Sequence, residues 1–156
     1  MEIVVSEGDK GKAEFRVPRK VTYTAEVIVK GGRAGHARSS DSNLDVNLVV
    51  PKEQGGPGGA GTNPEQLFAA GFAACFESAI MGVGRRGNVP VNEVIINSRV
   101  GIGPTVERDF GLIVEMRVQL PGIEKSVAQS LITQAEQICP YANATRGNIP
   151  VRLILE

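Results

Sequence analysis

The chain has 156 residues, 42% hydrophobic and 22% charged, which is enough for one domain with a real core and too few for two. Seventeen Lys and Arg balance seventeen Asp and Glu, so the basic footprint that holds a phosphate backbone is missing and nucleic acid is excluded as a partner. The longest apolar stretch, around LFAAGFAACF, meets Glu77 and Ser78 short of the roughly 20 residues of a membrane span. The opening MEIVVSEGDKGK lacks the basic start and unbroken apolar core of a secretory signal. A cytoplasmic protein with no membrane partner is expected.

Residues 1–16 are polar and poorly patterned and read as an N-terminal extension or an edge strand of a single domain over 1–156. VTYTAEVIV (21–29) and LDVNLVV (44–50) are β-branched and partly alternating, the pattern of half-buried strands. Between them, KGGRAGHARSSDSN reads as a long connection, and EQGGPGGAGTN (53–63) as a glycine-rich loop. Thr62 and Glu65 fit a capping box with Pro64 in the first turn, so a helix is predicted from about 63 to the GVGRRGN cluster at 82–88. Small or apolar residues surround it from Leu67 to Ala74, as in a helix buried on several sides.

EVIINSRVGI (93–102) and GLIVEMRVQL (111–120) are expected to pair as antiparallel strands. An amphipathic helix is predicted over 124–138, its face formed by Val127, Leu131, Ile132, Ala135 and Ile138 and its end set by Pro140. VRLILE closes the chain as a short strand. Runs of strands with two inserted helices indicate an α+β fold, not a βαβ winding.

Cys75 lies within the first helix, near Phe68, Phe72 and Phe76, and Cys139 where the second helix ends. Each alone has a bland reading as a small buried apolar group. With a single His, they cannot complete a four-ligand zinc site without carboxylates. A disulfide between them would be out of place as a static staple in a reducing cytosol, whereas a cycling one would not. The rival nucleophilic chemistry, a Cys and His hydrolase, would require His36, which lies in a Gly-, Ser- and Arg-rich segment where a solvated imidazole is ordinary. Arg33 sits in GGRAG, where glycines allow close backbone approach.

TNPEQLFAAGFAACF and CPYANATRGNIPV together resemble the organic hydroperoxide resistance (Ohr) proteins of the OsmC-like superfamily. The resemblance runs from about Val21 to Leu155 and includes GGRAG, SSD (39–41), LDV (44–46), GIG (101–103), FGL (110–112) and LPG (120–122). It implies an OsmC-like fold in which antiparallel sheets wrap two central helices in an intertwined homodimer. It also implies a thiol-dependent peroxidase acting on organic hydroperoxides, with Cys75 as the peroxidatic residue, Cys139 as the resolving residue, and Arg33 and Glu65 as the pair that activates Cys75. No bound cofactor is implied; the expected reductant is an external dithiol, a dihydrolipoyl group on a lipoylated protein. The chain departs from the family pattern at Phe72, where Tyr is common, at His36, and in its N-terminal length.

Physical chemistry supports these roles. Only a few per cent of a free thiol is thiolate at pH 7, and a neighbouring guanidinium favours the thiolate. A carboxylate gripping that guanidinium in bidentate fashion fixes its direction. Glu65 and Cys75 are ten residues apart, about 15 Å along a continuous helix, so both reach one Arg only if the helix breaks or a second subunit intervenes. The expectation is a composite site, with Cys75 and Cys139 from one chain and Glu65 with Arg33 from its partner. Glu77 is turned about 200° from Cys75 and is read as structural or exposed. Leu67, Phe68, Phe72, Phe76, Ile80 and Met81 are candidates for an apolar substrate wall. The alternatives are an OsmC-type peroxidase of broader range and a non-catalytic redox sensor or lipid-binding module.

Overall fold

The computed structural model describes residues 16–156, so the expectation for 1–16 lies outside the described residues except at Arg16. Strands β1 (Val27–Lys30), β2 (His36–Ser39) and β3 (Asp45–Asn47) form an antiparallel sheet in that order. Both predicted strands are shorter than their sequence pattern, and the segment read as a connection contains β2. Only Ala37 of β2 is buried. No hydrophobic alternation marks this strand; it is defined by backbone pairing of Val29 with Ala37 and of Ala37 with Val46. The sheet's apolar side chains are largely uncovered within the chain, with Ile28 61% exposed, and Val21 and Tyr23 just before β1 65% and 77% exposed.

The glycine-rich loop returns to this sheet, where Val49 N–H donates to Thr62 O at 2.8 Å, and launches α1 (Pro64–Arg86). The helix begins one residue later than a Thr62 and Glu65 box would place it. Asn63 is the N-cap, accepting from Gln66 N–H at 2.9 Å, and Thr62 Oγ1 donates to Gln66 Oε1 at 2.8 Å. That shift leaves the Glu65 carboxylate free of capping duty. By length and composition α1 could cross a membrane, despite Glu77. In the fold it packs as a core helix against β4 (Ile95–Pro104) and α2 (Lys125–Ile138).

β4 pairs antiparallel with β5 (Phe110–Gln119) from Ile95 opposite Gln119 to Pro104 opposite Phe110. β5 then pairs with β6 (Val151–Leu155) in parallel, starting at Val114 opposite Val151. The sheets are antiparallel, as expected, except at this one parallel edge. The chain leaves β5 through α2 and α3 (Pro140–Thr145) and comes back in the same direction, the long crossover a parallel pair requires. Alternate residues Val114, Met116 and Val118 of β5 point to one core with Phe72, Phe76, Ile80 and Val83 of α1. Ala128, Leu131, Ile132 and Ala135 of α2 close it, while Ile138, predicted on that face, is 40% exposed. Each fully buried Phe or Ile contributes about 1.5–3 kcal/mol.

Candidate active site

Pro140 both stops α2 and starts α3, and Cys139 is the corner residue between them. The sequence pattern shows the stop but not the new start, because six residues are too few to display a period. Arg146 fastens the corner, donating to Glu136 O at 2.6 Å, Glu136 Oε1 at 2.7 Å and Asn143 Oδ1 at 2.7 Å. In this corner Cys139 is completely buried, and its thiol donates to Cys75 Sγ at 3.5 Å. Cys75, in the middle of α1, is only half-buried. The long-range pair that sequence spacing could not establish is thus in contact, about 1.5 Å of sulfur movement short of a disulfide.

Arg33 and Glu65 also meet. Arg33 Nη1 donates to Glu65 Oε2 at 3.0 Å and Nη2 to Oε1, a bidentate pair with Glu65 only 13% exposed. Arg33 is carried by a tight 3₁₀ turn, Gly32–Ala34, that joins β1 to β2. Gly35 closes this turn, where a Cβ would come within 1.8 Å of Lys30 O; any other residue forces the turn apart. Because α1 is unbroken from Pro64 to Arg86, the Arg33 and Glu65 pair and the two cysteines occupy separate stations of one chain.

His36, the rival base, lies on β2. Its Nδ1 is 2.9 Å from Asn47 Oδ1 and its Nε2 is 2.7 Å from Asp45 Oδ1, so both ring nitrogens are engaged across the sheet. Among the described residues no group of three His, Cys, Asp or Glu could hold a metal ion. Of the six apolar candidates, Phe72, Phe76 and Ile80 are fully buried in the core, and Leu67, Phe68 and Met81 are partly exposed.

Both the sequence and the fold have close counterparts. Residues 56–154 match the family model described as OsmC-like protein. The organic hydroperoxide resistance protein of Xanthomonas axonopodis pv. citri is 52% identical over 139 residues, covering 88% of this chain and 97% of that protein. The chain belongs to the OsmC-like family, in its organic hydroperoxide resistance branch. Among solved structures, an organic hydroperoxide resistance protein from Legionella pneumophila superposes with a TM-score of 0.84 at 43% identity, covering 88% of this chain and 99% of that one. A counterpart from Vibrio cholerae, with captopril bound in one of its active sites, gives 0.83 at 42% identity over 88% and 94% of the two chains. Family membership and the paired cysteines together establish a redox protein of the Ohr and OsmC peroxidase type.

In this Ohr-type chain the environment of the buried cysteine is one-sided. Burial pushes the Cys139 thiol up from 9.0 to about 11, reinforced by Cys75 and opposed by backbone N–H groups of Ala142 and Tyr141. The folded state therefore prefers the protonated thiol. The unfolded chain ionises Cys139 from about pH 9, whereas the folded chain holds its proton to about 11, so this contribution is fully present below pH 9 and is lost as pH rises between the two values. Urea midpoints of the reduced protein should fall more between about pH 8.5 and 10.5 for the wild type than for Cys139→Ala; equal falls would remove Cys139 as the source.

One residue beside the cysteine pair carries no signal strong enough to single it out from sequence. Tyr141, two positions after Cys139, stacks on Phe72 with ring centroids 5.7 Å apart and meets Phe68 edge-on at 6.1 Å. The signal was its nearness to Cys139 in CPYAN; what it touches depends on the α2 to α3 corner.

Proposed function

We propose that this chain is a thiol-dependent peroxidase that reduces organic hydroperoxides, including those of fatty acids, to alcohols. The observation that carries this reading is the Cys75 and Cys139 pair, 3.5 Å apart with only Cys75 reachable. A Cys75 thiolate attacks the terminal peroxide oxygen; an S–O bond forms, the O–O bond breaks, and an alcohol leaves behind a sulfenic acid. The Cys139 sulfur then displaces the sulfenic oxygen as water and closes the disulfide. An external dithiol, a dihydrolipoyl group on a lipoylated protein, reopens it by exchange through Cys75, the sulfur it can reach. A disulfide that cycles in this way suits a reducing cytosol, where we place the protein, and the cycle uses no bound cofactor.

A homodimer completes the site in this reading. The unbroken α1 separates Glu65 from Cys75 by about 15 Å, so an antiparallel second copy of α1 would bring the partner's Arg33 and Glu65 to Cys75. The exposed apolar side chains of Val21, Tyr23 and Ile28, close together along the chain, support a second copy wrapping this one, since large apolar side chains left uncovered mark an interface. Leu67, Phe68 and Met81, backed by Phe72, Phe76 and Ile80, form the proposed apolar wall, against which an alkyl tail gains about 0.8 kcal/mol per buried methylene.

The test is peroxide consumption with dihydrolipoamide as reductant. Linoleic acid hydroperoxide and tert-butyl hydroperoxide are expected to react with larger second-order rate constants than hydrogen peroxide, by about tenfold or more, since two or three buried methylenes already supply that factor. Equal constants would assign the broader OsmC-type activity. A single oxidation without turnover under any dithiol would assign a redox sensor.

A further inference from the structure

We propose that Tyr141 is a further catalytic residue, the proton donor to the alkoxide that leaves when the O–O bond breaks. This assignment rests on the peroxidase reading above. The phenolic oxygen lies against α1 at Gly71, where an added Cβ would stand 3.1 Å from Tyr141 Oη. Cys75 is four residues farther along α1, and residues four apart share a helix face with Cβ atoms about 5–6 Å from one another. The contact between Cys139 and Cys75 ties the start of α3 to the same face. Two aromatic contacts, with Phe72 and Phe68, fix the ring. Tyr141 nevertheless remains 39% exposed, so solvent reaches the residue on the helix face it shares with Cys75.

The chemistry calls for a donor at that place. Thiolate attack gives Cys75 the terminal OH of the hydroperoxide, two electrons pass from sulfur to the O–O bond, and the oxygen bonded to the alkyl group departs as RO⁻. An alkoxide is a far stronger base than a phenolate, and neither Arg33, whose guanidinium does not give up its proton, nor the Glu65 carboxylate paired with it can neutralise it. Tyr141 Oη–H passes its proton to that oxygen as the O–O bond breaks, releasing ROH, and the phenolate regains a proton from solvent at its exposed edge. Gly71 is what allows the phenol so close to the helix.

The experiment is single-turnover oxidation of fully reduced protein, followed by loss of the Cys75 thiol, so that no reductant enters the rate. Tyr141→Phe retains the aromatic ring and removes only the hydroxyl. Its rate constant with tert-butyl hydroperoxide should fall by roughly a hundredfold, the scale of a general acid. With peracetic acid, whose leaving carboxylate needs no proton, it should fall less than about twofold, and alkylation of Cys75 by iodoacetamide should proceed at the wild-type rate. A Tyr141→Phe protein that matches the wild type with tert-butyl hydroperoxide, or that loses both peroxide reactions equally, overturns the role of Tyr141 and leaves the peroxidase reading standing. A wild-type protein that does not react with tert-butyl hydroperoxide overturns both.

Discussion

Cys75→Ser is expected to abolish turnover of tert-butyl hydroperoxide with dihydrolipoamide, a loss of at least about 10³-fold, whereas Cys139→Ser should still undergo the first oxidation and then stall. The asymmetry follows from burial. Cys75 is half-buried and Cys139 fully buried, so Cys75 is the sulfur expected to meet peroxide. A serine hydroxyl at position 75 is a far weaker nucleophile than a thiolate at neutral pH. In Cys139→Ser the sulfenic acid on Cys75 has no internal thiol to condense with, so further peroxide drives it to sulfinic and sulfonic acids. Mass spectrometry of the peroxide-treated variant should find two and then three oxygens added to Cys75. Turnover that survives in Cys75→Ser and disappears in Cys139→Ser would reverse the assignment.

Arg33→Ala and Glu65→Ala should each lower the rate with organic hydroperoxides by about 10²- to 10³-fold, the range for removal of one electrostatic contact to a reacting centre. Arg33→Lys should restore little, because an ammonium cannot reproduce the bidentate grip on both Glu65 oxygens. Glu65→Ala would leave the Arg33 guanidinium without the carboxylate that aims it. The composite arrangement adds a sharper consequence. Co-expressed Cys75→Ser and Glu65→Ala chains should regain activity in mixed dimers, because one of the two sites then combines an intact Cys75 with an intact Glu65 from the other chain. Mixed dimers as inactive as either parent would confine the site to a single chain.

Much of this was legible from the residues alone. The long apolar run from Leu67 and the spacing of Leu131, Ile132 and Ala135 specify α1 and α2, because a helix period repeated over several turns is a strong signal. The alternation in 93–102 and 111–120 likewise specifies β4 and β5. β2 was not legible: His36, Ala37 and Arg38 have neither alternation nor β-branching, and their strand exists through hydrogen bonds to β1 and β3. The parallel pairing of β6 was hidden for a related reason, since strand direction is set by the path of the chain between strands and leaves no mark in VRLIL.

At the site the division is similar. The chemical parts can be read from the residues: two cysteines without a CxxC spacing, an arginine in a glycine-lined turn, a glutamate in the first turn of an apolar helix, and the motifs that place the chain in its family. How those parts meet came from the packing of the elements, which the residues do not display. That packing set Cys139 against Cys75 across 64 residues of chain, buried Cys139 and left Cys75 half-buried, and paired Arg33 with Glu65. It also moved the α1 cap to Asn63 and laid Tyr141 on Gly71. The physical reason is that composition, periodicity and capping act over a few residues along the chain, whereas contact between distant side chains depends on how whole elements pack.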